Sequence, residues 1–272
     1  MADGLELEGC RLAWQAQGDG VPVLFIHGTA AAIWGDLPAR TASFARALTY
    51  DRRGFGQSAA SPIADLKRHE DDAIALLAAH AGGTALLVGW SVGGIIALGV
   101  AARRPDLVRG LLLLEPPLWA KKHPDLNLFN GVVLSILTGF IAGAARGGRR
   151  FSSWVFRERD GTSSLDEVSP AIRRQIADNA AAVGVEIRGG TGEHLSAAAL
   201  AGIAMSAVVV TGDRSQAFFE AGARRVADAV PGARLQRLAA ASHFLQLEHA
   251  ATIAALIQEM VAEGTAERVP AA

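Results

Sequence analysis

Cysteine occurs once in 272 residues, and the composition leans to neither sign of charge. With Cys10 alone there can be no internal disulfide and no cysteine-based metal cluster. Cys10 falls in an early strand pattern, where a small buried apolar role is expected. Lys and Arg number 26 against 27 Asp and Glu, a net charge of −1. That balance gives no electrostatic footprint for nucleic acid or an anionic membrane. No Gly-x-Gly-x-x-Gly fingerprint is present, so neither a cofactor nor a metal is expected. The first residues are acidic and carry no apolar h-region; no secretory signal is visible, and a cytoplasmic location is expected. There is no internal repeat and no low-complexity linker.

What is present is apolar. Half of the residues are hydrophobic, enough to bury a sizeable core in one large α/β domain or two small ones. The chain is organised around residues 84–97. The β-formers of Ala85–Val88 run straight into Gly89-Trp90-Ser91-Val92-Gly93, and small and apolar residues follow at helical spacing. Strand, sharp turn and helix in that order make a nucleophile elbow. The turn forces Ser91 into a strained conformation that holds its hydroxyl out over the end of the sheet. Gly89 and Gly93 leave room for strand and helix to close on each other. Ser91 also opens the helix, so its amides and dipole face any oxyanion formed beside it.

Leu5–Glu8, Arg11–Gln15 and Val21–Ile26 read as short strands, Ala39–Arg46 as a short helix, Ala47–Asp51 as a strand and Ile63–His80 as a helix. His69 and His80 fall on or near that helix's polar side, where solvation is expected. Val108–Leu114 is a continuous apolar run, as in a parallel strand buried on both faces, and it ends at Glu115-Pro116-Pro117. From there to about 204 the strand–helix alternation stops, over more chain than an ordinary connection needs. Leu126 to Ala145 contains no charged residue, which is long enough to raise a transmembrane reading. Asn127, Asn130, Ser135, Thr138 and three glycines argue instead for a helix buried on one face and lining an acyl pocket on the other. Arg157–Asp160 reads as solvated surface and Val168–Val183 as a further helix. Ser206–Thr211 and Arg234–Leu238 read as strands, with a helix at Phe218–Val230 between them and a closing helix from about His249 to Val261.

Six ordered pieces resemble the α/β-hydrolase superfamily over nearly the whole chain: Phe25-Ile26-His27-Gly28-Thr29, Tyr50–Ser58, Gly89–Gly94, Leu111–Pro116, Val208–Asp213 and Ser242-His243-Phe244. The resemblance implies a mostly parallel eight-stranded sheet flanked by helices, with a helical cap inserted after strand 6. Residues 1–117 and 205–263 would form the core, 118–204 the cap and 264–272 a tail that frays. It also implies an oxyanion hole made by the amides of Thr29 and Val92, which act only once charge appears on the carbonyl oxygen. His27 reads as structural, bonding backbone in its loop.

A serine hydroxyl is a weak nucleophile until an imidazole takes its proton. Of seven histidines only His243 lies in a loop directly after the last strand, following Ser91 in the chain order of this fold; His249 on the closing helix and His123 and His194 in the cap are weaker candidates. In most relatives the acid lies three residues after the glycine that ends the strand before it. That position is Ser215, which cannot stabilise an imidazolium. Asp213 stands in the same turn, one residue after Gly212, and should aim elsewhere. Glu115 caps the strand beside the elbow strand, about 5 Å away, a place where some members, including a group of dehalogenases, carry their acid. Glu115 is the expected acid and Asp213 the alternative.

The resulting expectation is a serine hydrolase that cleaves carboxylic esters through an acyl-enzyme, with Trp90, Trp119, Phe140 and Phe244 at the substrate. Ser91 stands where a dehalogenase or epoxide hydrolase would have Asp. Thioesterases, perhydrolases and C–C bond hydrolases use the same three residues, and a non-catalytic ligand-binding member is the competing class. The expected partner is a small-molecule ester or related acyl substrate, without nucleic acid; membrane contact is not expected, a membrane-contacting lid over 126–145 being the alternative.

Overall fold

Aliphatic runs build the centre of the molecule. In the computed structural model, which describes residues 3–29, 32–58, 60, 63, 65–118, 126–190 and 192–266, eight strands form one sheet. They are β1 (Asp3–Leu7), β2 (Cys10–Gln17), β3 (Pro22–Ile26), β4 (Arg46–Tyr50), β5 (Ala85–Trp90), β6 (Val108–Leu114), β7 (Ser206–Gly212) and β8 (Arg234–Leu238). Their spatial order is β1-β2-β4-β3-β5-β6-β7-β8. β2 runs antiparallel to β1 and β4, and every pair from β4 to β8 is parallel. The two strands at the middle, β3 and β5, are buried along their whole length, as parallel strands covered on both faces must be.

Alternate side chains feed two apolar layers. Val23, Phe25, Leu86 and Val88 face a layer that includes Leu37, Ile253 and Ile257. Leu24, Ile26, Leu87 and Leu111 face another that includes Leu76, Ile96 and Val100. Among the helices of those layers are α1 (Leu37–Thr41), α2 (Leu66–His80) and α3 (Val92–Arg103). Between β6 and β7 lies an insert whose described residues include the helices α4 (Leu126–Ala142), α5 (Ala144–Val155), α6 (Pro170–Asp178), α7 (Ala180–Glu186) and α8 (Ala197–Ala201). Then α9 (Ala217–Ala229) precedes β8, and α10 (Leu245–Glu248) and α11 (Ala250–Ala266) close the described chain.

Several expectations are corrected here. The first helix ends at Thr41, because Arg46 already pairs with Pro22 in the sheet. The uncharged stretch breaks at Gly143, whose φ of 92° ends α4 and starts α5. Among the described residues no helix is long and apolar enough to cross a membrane. The segment read as one helix over 168–183 is two, divided at Asn179. Helix α11 continues to Ala266, past the point where fraying was expected at 264; 267–272 lie outside the described residues.

His69 is buried, 1% exposed, with Nε2 3.4 Å from Glu186 Oε1. His80 is half-buried and stacks on Trp14 with ring centroids 4.1 Å apart. Within the stretch read as solvated, Glu158 is buried and takes both arms of Arg214 at 2.6 Å. Period-based reading cannot see such long-range charge pairs.

Candidate active site

The site gathers at the C-terminal ends of β3, β5, β6 and β7, where open parallel sheets bind ligands. Ser91 follows β5 with φ 55° and ψ −126°, a conformation few non-glycine residues adopt. It is held there by its amide, which donates to Leu114 O at 2.8 Å. The elbow is tight around it. A Cβ on Gly89 would lie 2.6 Å from Gly93 O, and one on Gly93 would collide with Ile26 O. Val92 is the first residue of α3, so its amide is among those a helix leaves unpaired.

Trp90 pairs with Leu114 in the sheet, which sets Glu115 beside Ser91 as each chain leaves its strand. Glu115 also has positive φ, 50°. Among the described residues the third such non-glycine is Ala240, three residues before His243. Strain of this kind costs on the order of 1–3 kcal/mol per residue and clusters where a side chain must be aimed. Glu115 is fully buried, and its amide donates to Val210 O at 2.9 Å.

Four donors converge on its carboxylate. Oε1 accepts from Gly212 N–H at 2.7 Å and Thr211 O–H at 3.1 Å. Oε2 accepts from Ser215 O–H at 2.9 Å and from His243 Nδ1 at 2.6 Å. With Nδ1 as the donor, neutral His243 carries its lone pair on Nε2. Asp213 stands apart: its amide pairs with Leu238 O, and its Oδ1 has no hydrogen-bond partner. The contributions of Thr211 and Ser215 were missed in the sequence, although a serine standing where an acid is usual was the available signal.

Aromatic rings hold His243 in place. Phe219 stacks on the imidazole with centroids 3.8 Å apart, Trp90 and Phe156 approach to 5.3 and 5.8 Å, and Trp90 Nε1–H donates to His243 O at 2.9 Å. Two small adjoining cavities share Thr29 and Ser91. One, of about 10 Å³, is also lined by Trp90, Phe151, Phe156 and His243. The other, of about 40 Å³, is lined by Val92, Val132, Phe151, Trp154 and Phe218 among others. Their walls are almost wholly apolar, so charges inside interact in a poorly screened setting.

Of the residues expected at the substrate, Trp90 lines the cavity. Phe244 is buried behind it, stacked on Phe156 at 4.4 Å, and lines neither cavity. Phe140 is 68% exposed on α4 beside exposed Leu137 and Ile141, with the Arg188 guanidinium over its ring. The inner wall comes chiefly from α5, through Phe151, Trp154 and Val155, with Val132 from α4. The uncharged run falls on α4, which supplies Val132 to this wall, and a lack of charge does not say which of its other residues point inward. Trp119 and His123 lie outside the described residues. His194 bonds Glu70 Oε1 at 2.6 Å, away from the cavities. Among the described residues no three His, Cys, Asp or Glu side chains gather into a metal-binding group.

His27 is fully buried; its Nδ1–H donates to Gly28 O at 2.7 Å and its Nε2 accepts from Arg52 N–H at 2.9 Å. Burial and the nearby Arg52 charge hold its pKa well below the usual histidine value, and burial does the same to His69. Both are therefore neutral when folded but take up protons when unfolded as pH drops below 6.5. Their share of the stability is whole above that pH and lost below it. Thermal unfolding from pH 7.5 to 5 should show Tm falling with pH. His69→Gln should flatten the stability slope below pH 6 by about 1.4 kcal/mol per pH unit. A slope identical in the variant and the parent would contradict the buried neutral state.

The sequence profile of the alpha/beta hydrolase family matches residues 23–256. A pimeloyl-[acyl-carrier protein] methyl ester esterase of Aliivibrio salmonicida is 35% identical over 133 residues, which is 47% of this chain and 48% of that protein. The chain thus spans about half the length of the first curated relatives it matches. A 2-hydroxymuconate semialdehyde hydrolase of a Pseudomonas species is 28% identical over 96% of this chain and 94% of its own. Among solved structures, the enol-lactonase from Burkholderia xenovorans superposes with a TM-score of 0.78, covering 96% of this chain and all of that one at 19% identity.

Proposed function

Because the chain belongs to the alpha/beta hydrolase family, we propose that it is a serine hydrolase acting on small carboxylic esters through an acyl-enzyme on Ser91. It would work without metal or cofactor, in the cytoplasm, with residues 118–204 as the cap over the site. The observation that carries this reading is the 2.6 Å contact between His243 Nδ1 and Glu115 Oε2 next to a strained Ser91 at one apolar cavity.

As Ser91 Oγ attacks the ester carbonyl, its proton passes to His243 Nε2. The carbonyl π electrons move to oxygen, and the oxyanion takes hydrogen bonds from the amides of Thr29 and Val92. Glu115 accepts from Nδ1–H throughout and balances the imidazolium. Collapse of the tetrahedral adduct expels the alcohol, which takes the proton from His243. Water then gives a proton to His243 and attacks acyl-Ser91; as the second adduct collapses the Ser91 Oγ–acyl bond breaks, the proton on His243 Nε2 returns to Ser91 Oγ, and the carboxylic acid leaves.

The size of the site sets its substrate. Cavities of about 10 and 40 Å³ leave room for one or a few atoms beside Ser91. Among p-nitrophenyl esters, kcat/KM should be highest for acetate or propionate and fall from butanoate to octanoate. Phe151→Ala, which opens both cavities, should move the optimum to longer chains. A profile that rises to octanoate in the parent enzyme would remove Phe151 as the limiting wall.

A second reading is favoured by the full-length similarity to 2-hydroxymuconate semialdehyde hydrolase. The same three residues can cleave a carbon–carbon bond next to a ketone. Activity on a vinylogous diketone exceeding that on every ester of the series would favour it, and the reverse would favour the ester reading.

A further inference from the structure

The loop after β4 contributes a cation that the chemistry above does not use. Arg52 is fully buried, as is its partner Glu186 on α7. Its Nη1 is paired with Glu186 Oε1, and its Nη2–H donates to Gly28 O at 3.0 Å. The same carbonyl accepts from His27 Nδ1–H at 2.7 Å. Gly28 O and Thr29 N–H are the two ends of one planar peptide group, and in the trans form they point in opposite directions. Gly28 itself sits against the nucleophile, where an added Cβ would lie 2.9 Å from Ser91 Cβ.

From this geometry we infer that Arg52 is a positioning residue of the oxyanion hole, acting on the Thr29 amide through the Gly28 carbonyl, with Glu186 of the insert holding its other arm. The inference rests on the proposed Ser91 mechanism. Two donors on Gly28 O, one of them permanently charged, fix the plane of the peptide and withdraw electron density from its nitrogen. Both effects make Thr29 N–H a better donor to a negative oxygen in front of it, since hydrogen bonds in series strengthen one another. The guanidinium also places positive charge behind the amide, in surroundings too dry to screen it. A neutral carbonyl oxygen gains little from this and an oxyanion gains much, so the benefit belongs to the transition state. Phe55, with its ring 4.7 Å from the Arg52 guanidinium carbon, closes the other side.

Removing Arg52 alone would strand a buried Glu186, so the test replaces the pair with apolar residues, an exchange that proteins often tolerate. In Arg52→Met/Glu186→Met, kcat on p-nitrophenyl acetate should fall about tenfold, a fraction of what loss of a whole oxyanion donor costs, while KM stays within about twofold. Affinity for a trifluoromethyl ketone, which forms a hemiketal oxyanion on Ser91, should fall by the same factor as kcat. Its ¹⁹F signal should titrate at higher pH, because the oxyanion has lost support. Glu186→Gln keeps an oxygen acceptor for Arg52 Nη1 and the Arg52 bond to Gly28 O, so its kcat and ketone affinity should fall less than those of the double variant.

A folded double variant with parental kcat and ketone affinity would overturn the inference. So would a fall in kcat with unchanged ketone binding, or a Glu186→Gln variant as slow as the double one. Fluorophosphonate labelling of the parent enzyme separates the two levels. If Ser91 is labelled and Ser91→Ala is inactive, those outcomes refute only the role of Arg52; if Ser91 is not labelled, the mechanism beneath it fails first.

Discussion

Glu115→Gln should lower turnover by on the order of 10⁴, the usual cost when an amide replaces the carboxylate of a serine triad. Gln at 115 can still accept from Gly212 N–H, but its amide group is neutral and can present a donor to His243 Nδ1. The imidazole then favours the tautomer with its proton on Nε2, which cannot take one from Ser91. Asp213→Asn should stay within about tenfold of the parent, since Asp213 has no hydrogen bond to His243 and its Oδ1 has no partner. The geometry also offers a rescue. Ser215 Oγ lies 2.9 Å from Glu115 Oε2, the oxygen that His243 uses. Ser215→Asp in the Glu115→Gln background brings a carboxylate to that neighbourhood and should recover part of the loss. Steady-state kcat of the four proteins decides it. A crippled Asp213→Asn beside an active Glu115→Gln would move the acid to the turn after Gly212.

Ser91→Ala should keep its fold and lose nearly all activity. In the proposed mechanism the hydroxyl makes the covalent bond, whereas the backbone that holds it is fixed by the hydrogen bond from its amide to Leu114 O and by the closely packed glycines. The substitution removes one hydroxyl from an apolar site and leaves the backbone at φ 55° as it was, so Tm should hold or rise slightly. His243→Ala should lose a comparable amount. The double variant should be little worse than either, because residues that act as a unit do not add. A double variant showing the product of the two single losses would mean that Ser91 and His243 act independently. Retention of a tenth of parental turnover in Ser91→Ala would remove the acyl-enzyme.

Much of the sheet was legible because its signals are local. A continuous apolar run means a strand covered on both faces, and β6 read that way. The elbow was legible for the same reason, as Gly89, Ser91 and Gly93 sit within five residues. The meeting of Glu115 with His243, 128 positions apart, could be read only through the missing acid at 215 and the adjacency of β5 and β6. The insert was far less legible. Its break at Gly143, its division at Asn179 and the inward turn of Phe151 depend on packing against the core, which periodicity does not report. Buried charge was the least visible of all. In sequence Arg52 is one charge of a tight turn, expected to tie its loop down, and His69 lies on a helix's polar side; only tertiary structure brings them together with Glu186 out of water.

The central claim is a covalent acyl-enzyme on one serine. Intact-protein mass spectrometry after brief mixing with p-nitrophenyl acetate and acid quench tests it most directly, followed by peptide mapping. The account predicts a single acetyl adduct on the peptide that contains Ser91, accumulating in parental protein and absent from Ser91→Ala. Turnover of the ester with no adduct on Ser91, or an adduct on another residue, would contradict it.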